Sequence, residues 1–267
     1  MKVYIDNNVL VDIEIGKYSV EDFTGMSGAT YYYSDAHMNE LLEAKGNPKV
    51  SQGGRLSLIS QLCGHNNILT GGFEAPEIYE KEPVEIYKLC DTPWRSFIVQ
   101  QVNTDDDLFM KLRKKLDFDS TIFNNVSPEL VLEMIDERVK QKLNNIDLLT
   151  YLRETEAYGG KPLYHTLFNL IDSANYWGDK KTSHSNVARL YDAAHAYFAQ
   201  VCDILVTNDK RMRAKTKAVY SFLNVNTSVV STNEYLEVLC KMKDGKTQCN
   251  EVVKFIETKC HLHNHMD

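Results

Sequence analysis

The sequence predicts an α/β protein in which helices cover a parallel sheet. Three observations carry that expectation. Short β-prone runs alternate with helical apolar spacing three times before Thr70, the same alternation returns near Asn186, and the long stretch between is mainly helical. Val3-Tyr4-Ile5 is the first β-prone run and ends at Asp6; Val9, Leu10 and Ile13 follow at the spacing of a helix start. Tyr31-Tyr32-Tyr33 ends at Ser34, a good cap for a helix with Asp35 in its first turn and Met38, Leu41 and Leu42 on its apolar side. Leu56, Leu58, Ile59 and Leu62 suggest a further helix, and Ile68-Leu69-Thr70 a short third strand.

The alternation then stops for longer than a connection requires. Ser127-Pro128 makes an N-cap and N1 pair for a helix with apolar residues at 130, 131, 134, 135, 139 and 143, and a second amphipathic helix is expected from Pro162 through Tyr176. From Asn186, a bulky stripe of Val187, Leu190, Tyr191, Ala194, Tyr197, Phe198 and Val201 opposes a side bearing Asp192, Ala196 and Ala199. Ile204-Leu205-Val206 is a compact strand running into Thr207-Asn208-Asp209. A basic helix, the strand Ser228-Val229-Val230-Ser231 and a helix from about Asn233 complete the pattern.

The 267 residues, 25% charged and 43% hydrophobic, suit one or two globular domains at roughly 150 residues each. The expected division is a core in two parts, 1–80 and 162–244, a helical insertion at 81–161 and a tail at 245–267 that includes His261, His263 and His265. Because both ends of the insertion return to one sheet, it is expected to dock on the core as a cap. The opening apolar run is broken by Asp6 and Asp12, and no later run approaches the roughly 20 apolar residues that span a bilayer, so neither secretion nor a membrane role is expected. Cysteines at 63, 90, 202, 240, 249 and 260 form no C-x-x-C pair and fit free thiols in a reducing cytoplasm. A net charge of −7 argues against a protein that coats nucleic acid non-specifically, though not against an enzyme acting on it. Charge is uneven: Asp105, Asp106 and Asp107 form an acidic run, expected away from any nucleic-acid cleft, while Lys210, Arg211, Arg213, Lys215 and Lys217 crowd the start of one helix.

In an open parallel sheet, ligands bind beyond the carboxyl ends of the strands. Asp6 and Asp209 follow strands directly, Glu40 lies about two turns into the helix after the second strand, and Asp192 lies on the helix that feeds the strand ending near Asp209. If the strands bearing Asp6 and Asp209 are neighbours, four carboxylates converge at one edge of the sheet. Two carboxylates about 4 Å apart repel by roughly 4 kcal/mol at an effective dielectric near 20, so such a group needs a cation or shared protons. Oxygen ligands favour Mg²⁺ or Mn²⁺ over zinc. Each acid also has a plainer reading: Asp209 as a helix cap, Glu40 and Asp192 as helix surface charges. His195, one turn after Asp192, either orients a ligand or water or is a satisfied packing residue, and His37 has the same two readings.

The segments Y-I-D-N-N-V-L, S-D-A-H-M-N-E-L, Y-D-A-A-H-A and C-D-I-L-V-T-N-D-K together resemble the PIN domain family of metal-dependent nucleases, over roughly the first 80 residues and 186 to 240. The resemblance implies a three-layer α/β/α sandwich with a five-stranded parallel sheet, here with a large helical insertion, and RNA as the usual substrate. It assigns Asp6, Glu40, Asp192 and Asp209 to the family's acidic quartet, which holds one or two Mg²⁺ or Mn²⁺ ions for phosphodiester hydrolysis. Asn8 matches the family's common polar neighbour, and Asp203, Thr207 and Asn208 also stand as the family has them. Asn7 stands where the family often has Thr or Ser. Asn8, Thr207, Asn208, Lys210, Arg211 and Arg213 are the expected substrate contacts, the basic residues lying where a helix N-terminus favours phosphate. The implied function is a metal-dependent endoribonuclease, cytoplasmic, toxin-like or defence-related, with an inhibitory protein partner or a homo-oligomeric state both open. The competing class is a non-catalytic PIN-like scaffold that binds RNA or protein. A phosphotransfer domain would want D-x-D-x-T or paired aspartates after the first strand, and Asp6-Asn7-Asn8 supplies neither.

Overall fold

The first two strands each end where a polar side chain starts the next helix. A computed structural model describes residues 1–25, 28–70, 75–92, 106–142, 147–156, 160–178 and 185–243. Strand β1 (Lys2–Ile5) stops at Asp6, whose extended backbone and carboxylate cap α1 (Asn7–Glu14) by accepting the Asn7 N–H at 2.7 Å. Ser19 and Asp22 form a capping box on the short α2 (Val20–Thr24). β2 (Thr30–Ser34) hands over to α3 (Asp35–Glu43) through Ser34, whose hydroxyl accepts the Ala36 N–H at 3.2 Å. There follow α4 (Gln52–Cys63), β3 (Asn66–Leu69), β4 (Glu77–Glu80) and α5 (Pro83–Cys90). Five helices then succeed one another: α6 (Asp106–Leu116), α7 (Ser120–Phe123), α8 (Pro128–Lys142), α9 (Leu148–Glu156) and α10 (Gly160–Ser173). The α/β pattern resumes with α11 (Ser185–Ala199), β5 (Ile204–Val206), α12 (Lys210–Leu223), β6 (Ser228–Val230) and α13 (Thr232–Lys243). Asn224 ends α12 in the left-handed conformation, φ 54°, which Asn tolerates better than most residues. Asp105 and the tail 245–267, with its three histidines, lie outside the described residues, as do the side chains of Asp106 and Asp107.

The strands form one sheet in the order β4-β3-β2-β1-β5-β6. All neighbours are parallel except β3 and β4. The sheet is therefore mixed and six-stranded, not the five-stranded parallel sheet expected. The added strand, Glu77-Ile78-Tyr79-Glu80, is exposed at every position and joins β3 by its backbone, so it carries no burial pattern to reveal it. β1 lies between β2 and β5, with Ile5 opposite Val206 and the Asp6 N–H donating to the Val206 carbonyl at 2.9 Å. Asp6 thus stands beside Thr207-Asn208-Asp209 at one edge of the sheet.

Side chains alternate across the strands, so each face of the sheet has its own apolar layer. Val3, Ile5, Tyr31, Tyr33, Ile204 and Val206 pack with α1, α2, α4, α5 and α13. Tyr4, Tyr32, Ile68, Leu205 and Val229 pack on the other side with residues from α6 through α12, so Leu116, Phe123, Val131, Ile135 and Leu152 of the middle helices share a cluster with the strands. Helix α11 departs from its expected two-sided character. Ala193, Ala196 and Ala199 are as buried as Tyr197 and Phe198, because the helix is enclosed by its neighbours.

A buried ion cluster ties these helices together. Asp172 of α10 accepts from Arg189 of α11 at 2.8 Å, Arg113 of α6 at 3.1 Å and Lys215 of α12 at 3.3 Å. Lys215 is fully buried, so one member of the basic run is turned inward. Removing one partner of a buried ionic group leaves opposing charge without it, and Asp172→Ala is expected to cost about 3 to 5 kcal/mol in urea denaturation. A loss below about 1 kcal/mol, the level of an exposed pair, would show that the cations keep their places without Asp172.

Candidate functional site

Where β1 and β5 end, a polar lattice joins the two strand ends around Asp6. Its Oδ2 accepts from the Thr207 hydroxyl at 2.7 Å and from the Asn8 amide, while its Oδ1 accepts the Asn7 N–H. The Asn8 amide also donates to the Thr207 hydroxyl at 2.8 Å, and its Oδ1 accepts the Asn208 N–H at 2.9 Å. Asn208 donates to Asp12 at 2.6 Å and accepts the Thr232 N–H at 3.0 Å, extending the lattice to α13 beyond β6. Asn8, Thr207 and Asn208 therefore hold strand ends in register, and through them the position of Asp6.

Glu40 reaches the same place from α3. One of its oxygens accepts from the Asn7 amide, whose own carbonyl takes an Arg55 N–H. Arg55 is buried and places the rest of its guanidinium fork on Glu14, with Nη2 to Oε2 at 2.6 Å. Between Asp6 and Glu40 stands His195, wholly buried on α11. Its Nε2 lies 3.5 Å from Asp6 Oδ1 and 3.5 Å from Glu40 Oε1 and makes no hydrogen bond, while its Nδ1 meets the Tyr4 hydroxyl at 2.8 Å. Asp192 is half-buried one turn earlier on α11, near enough for its charge to act on His195. Asp209 is different. It is exposed and caps α12, its Oδ1 accepting the Arg211 N–H at 2.7 Å and the Met212 N–H at 3.0 Å. Lys210 beside it is exposed, while Arg213 turns back to the Thr207 carbonyl at 2.6 Å.

The structure thus brings Asp6 and Glu40 together across His195, sets Asp192 on the same helix, and leaves Asp209 at the rim as a cap. His37, by contrast, is satisfied at both nitrogens, Nε2 donating to the Ile5 carbonyl at 2.7 Å and Nδ1 accepting the Ser34 N–H at 3.1 Å. Burial, with the His195 charge, holds its pKa well below the usual histidine range. Burial pushes the Asp6 carboxyl up to about 6; His195 opposes the rise and Glu40 adds to it. At His195 burial acts downward, but Asp6, Glu40 and Asp192 outweigh it and the pKa is raised.

The carboxylates of Asp6 and Glu40 fit a hard divalent ion in kind, and His195 Nε2 faces both. They do not yet surround one point, for among the described residues no group of three or more His, Cys, Asp or Glu is arranged to hold a metal ion. Arg55 supports the site from outside the quoted segments, and Tyr4 and Asn7 lie within the first of them without an assigned part in its chemistry. Arg55 carried a signal: it lies three and four positions before Leu58 and Ile59 of α4, on the stripe a helix buries. No family model, curated protein or solved structure matches the chain.

The raised Asp6 pKa has a stability consequence. The folded state holds this proton more tightly than the unfolded state, so the contribution is full at low pH and is lost as pH rises through about 6. His195, also raised, acts in the same direction. Asp6→Asn keeps a capping side chain and removes the titrating charge. Without divalent ions, its melting temperature is expected to fall less than that of the wild type between about pH 4 and 7. Equal slopes for the two proteins would show that Asp6 is not charged at a cost.

Proposed function

We propose that the chain is a PIN-like endoribonuclease that depends on Mg²⁺ or Mn²⁺ held at Asp6 and Glu40, with Asp192 alongside. The observation that carries this reading is the convergence of two carboxylates, the buried Asp6 and Glu40, each 3.5 Å from one histidine nitrogen. Burying negative charges side by side is costly, and a cation drawn to the same place offsets that cost. A divalent ion there supplies Lewis-acid polarisation of a phosphoryl oxygen and makes water a nucleophile near neutral pH. Around it, Thr207 and Asn8 hold the Asp6 carboxylate, and Asn7, braced by Arg55, holds that of Glu40. Lys210 and Arg211, beside the Asp209 cap of α12, offer positive charge to a substrate phosphate at the rim. RNA is favoured over other phosphodiesters by the resemblance of the four segments quoted above, and a cytoplasmic setting by the free thiols.

A second reading has its own support. The Asp6 and Glu40 oxygens already accept from Asn7, Asn8 and Thr207, and Asp209 is engaged as a cap, as in a scaffold that keeps the fold without the chemistry. Incubation of purified protein with a panel of structured and single-stranded RNAs separates the two. The nuclease reading expects cleavage in Mn²⁺ or Mg²⁺, none in EDTA, and a loss of about 100-fold or more in folded Asp6→Asn and Glu40→Gln. Asp209→Asn keeps the cap, so its effect reports only on the charge. RNA bound but left intact in Mn²⁺ would favour the scaffold, and cleavage that persists in EDTA would overturn the metal mechanism.

A further inference from the structure

We infer that Tyr4 is a positioning residue of the site: its buried hydroxyl sets the rotation of the His195 ring and, through that ring, the spacing of Asp6 and Glu40. The inference rests on the reading of Asp6 and Glu40 as a cation-holding pair. Tyr4 lies on β1 two residues before Asp6, so its side chain rises from the same face of the sheet. It is fully buried. Tyr31 and Tyr220 bond backbone carbonyls, of Phe23 at 2.7 Å and of Ala196 at 2.6 Å, and Tyr31 also meets the Tyr235 hydroxyl at 2.8 Å. The Tyr4 hydroxyl instead meets three side chains: Ser34 Oγ at 2.6 Å, His195 Nδ1 at 2.8 Å and, more distantly, His37 Nδ1 at 3.4 Å.

Those partners belong to the elements that deliver the carboxylates. β1 ends at Asp6, Ser34 and His37 begin the helix that carries Glu40, and His195 shares α11 with Asp192. His37 is already engaged through both nitrogens, so the hydroxyl is shared chiefly between Ser34 and His195. Whichever oxygen donates in the Ser34 contact, the bond to Nδ1 holds the ring so that Nε2 stands equally far from Asp6 and Glu40. Direct outer partners of ion-binding groups are worth about 10- to 100-fold in metal affinity, and Tyr4 acts on the carboxylates through such a partner, His195.

The test is Mn²⁺ binding to the full chain, by calorimetry and by electron paramagnetic resonance, on wild type, Tyr4→Phe and Tyr31→Phe. Tyr31→Phe removes another buried, hydrogen-bonded hydroxyl from the opposite face of the sheet and controls for general loosening. Tyr4→Phe is expected to weaken Mn²⁺ binding about tenfold or more and to alter the spectrum of the bound ion, with Tyr31→Phe unchanged. His195→Gln, with Tyr4 intact, should lose affinity similarly, and the Tyr4→Phe/His195→Gln double variant should lose no more than His195→Gln alone. Equal weakening by both tyrosine variants, Tyr4→Phe binding as well as wild type, or additive losses in the double variant would overturn the inference while leaving the cation site standing. If Tyr4→Phe does not fold, undiminished binding by His195→Gln overturns it. Absence of Mn²⁺ binding by wild-type protein overturns the site reading and the inference together.

Discussion

A carboxylate buried where a central strand of a mostly parallel sheet stops is the constraint around which this molecule is arranged. Asp6 cannot move away from the end of β1, since its backbone is bonded into β5 and its side chain starts α1. Its charge is therefore met by what surrounds it: the Thr207 hydroxyl just after β5, the backbone N–H of Asn7 and the side-chain amide of Asn8 from α1, and His195 from α11. Glu40 brings a second charge to the same nitrogen. Hydrogen bonds offset part of the cost of burying these groups, yet the Asp6 carboxyl still holds its proton up to about pH 6, a measure of how much remains.

The same constraint explains why α11 matters more than its length suggests. It carries Asp192 and His195 toward the strand ends, and Arg189 one turn earlier toward Asp172. The Asp172 cluster joins α6 and α10 of the middle region to α11 and α12, whose N-terminal cap is Asp209. The helices between the two halves of the sheet thus bear on the two segments that flank the site. Their apolar residues share a cluster with Tyr4 and Leu205, so the backing of the site and the packing of those helices are one structure.

Much of the core is legible in the sequence because strand ends and helix starts are marked by the same residues. Asp6, Ser34 and Asp209 each close a β-prone run and cap the next helix, and Ser127-Pro128 marks the start of α8. β4 is not legible, since a four-residue edge strand with every side chain exposed has no apolar alternation to read. The convergence of Asp6 and Glu40 follows from strand order, which no local pattern contains; it needed β1 to lie beside both β2 and β5. The roles of Asn7, Tyr4 and Arg55 were hidden for a related reason. Each acts through partners between 30 and 191 positions away, and an Asn after an Asp or a Tyr in a strand has an ordinary local explanation. Lys215 shows the converse, a charge in a basic run whose helical phase turns it inward to Asp172.

The central claim is that a divalent ion belongs between Asp6 and Glu40. Crystals grown or soaked with Mn²⁺ and measured for anomalous scattering address it directly. The account predicts an anomalous peak at about 2.0 to 2.6 Å from an oxygen of each of these carboxylates. A peak only elsewhere on the molecule, or none while Asp6 and Glu40 keep their protein partners, would contradict it.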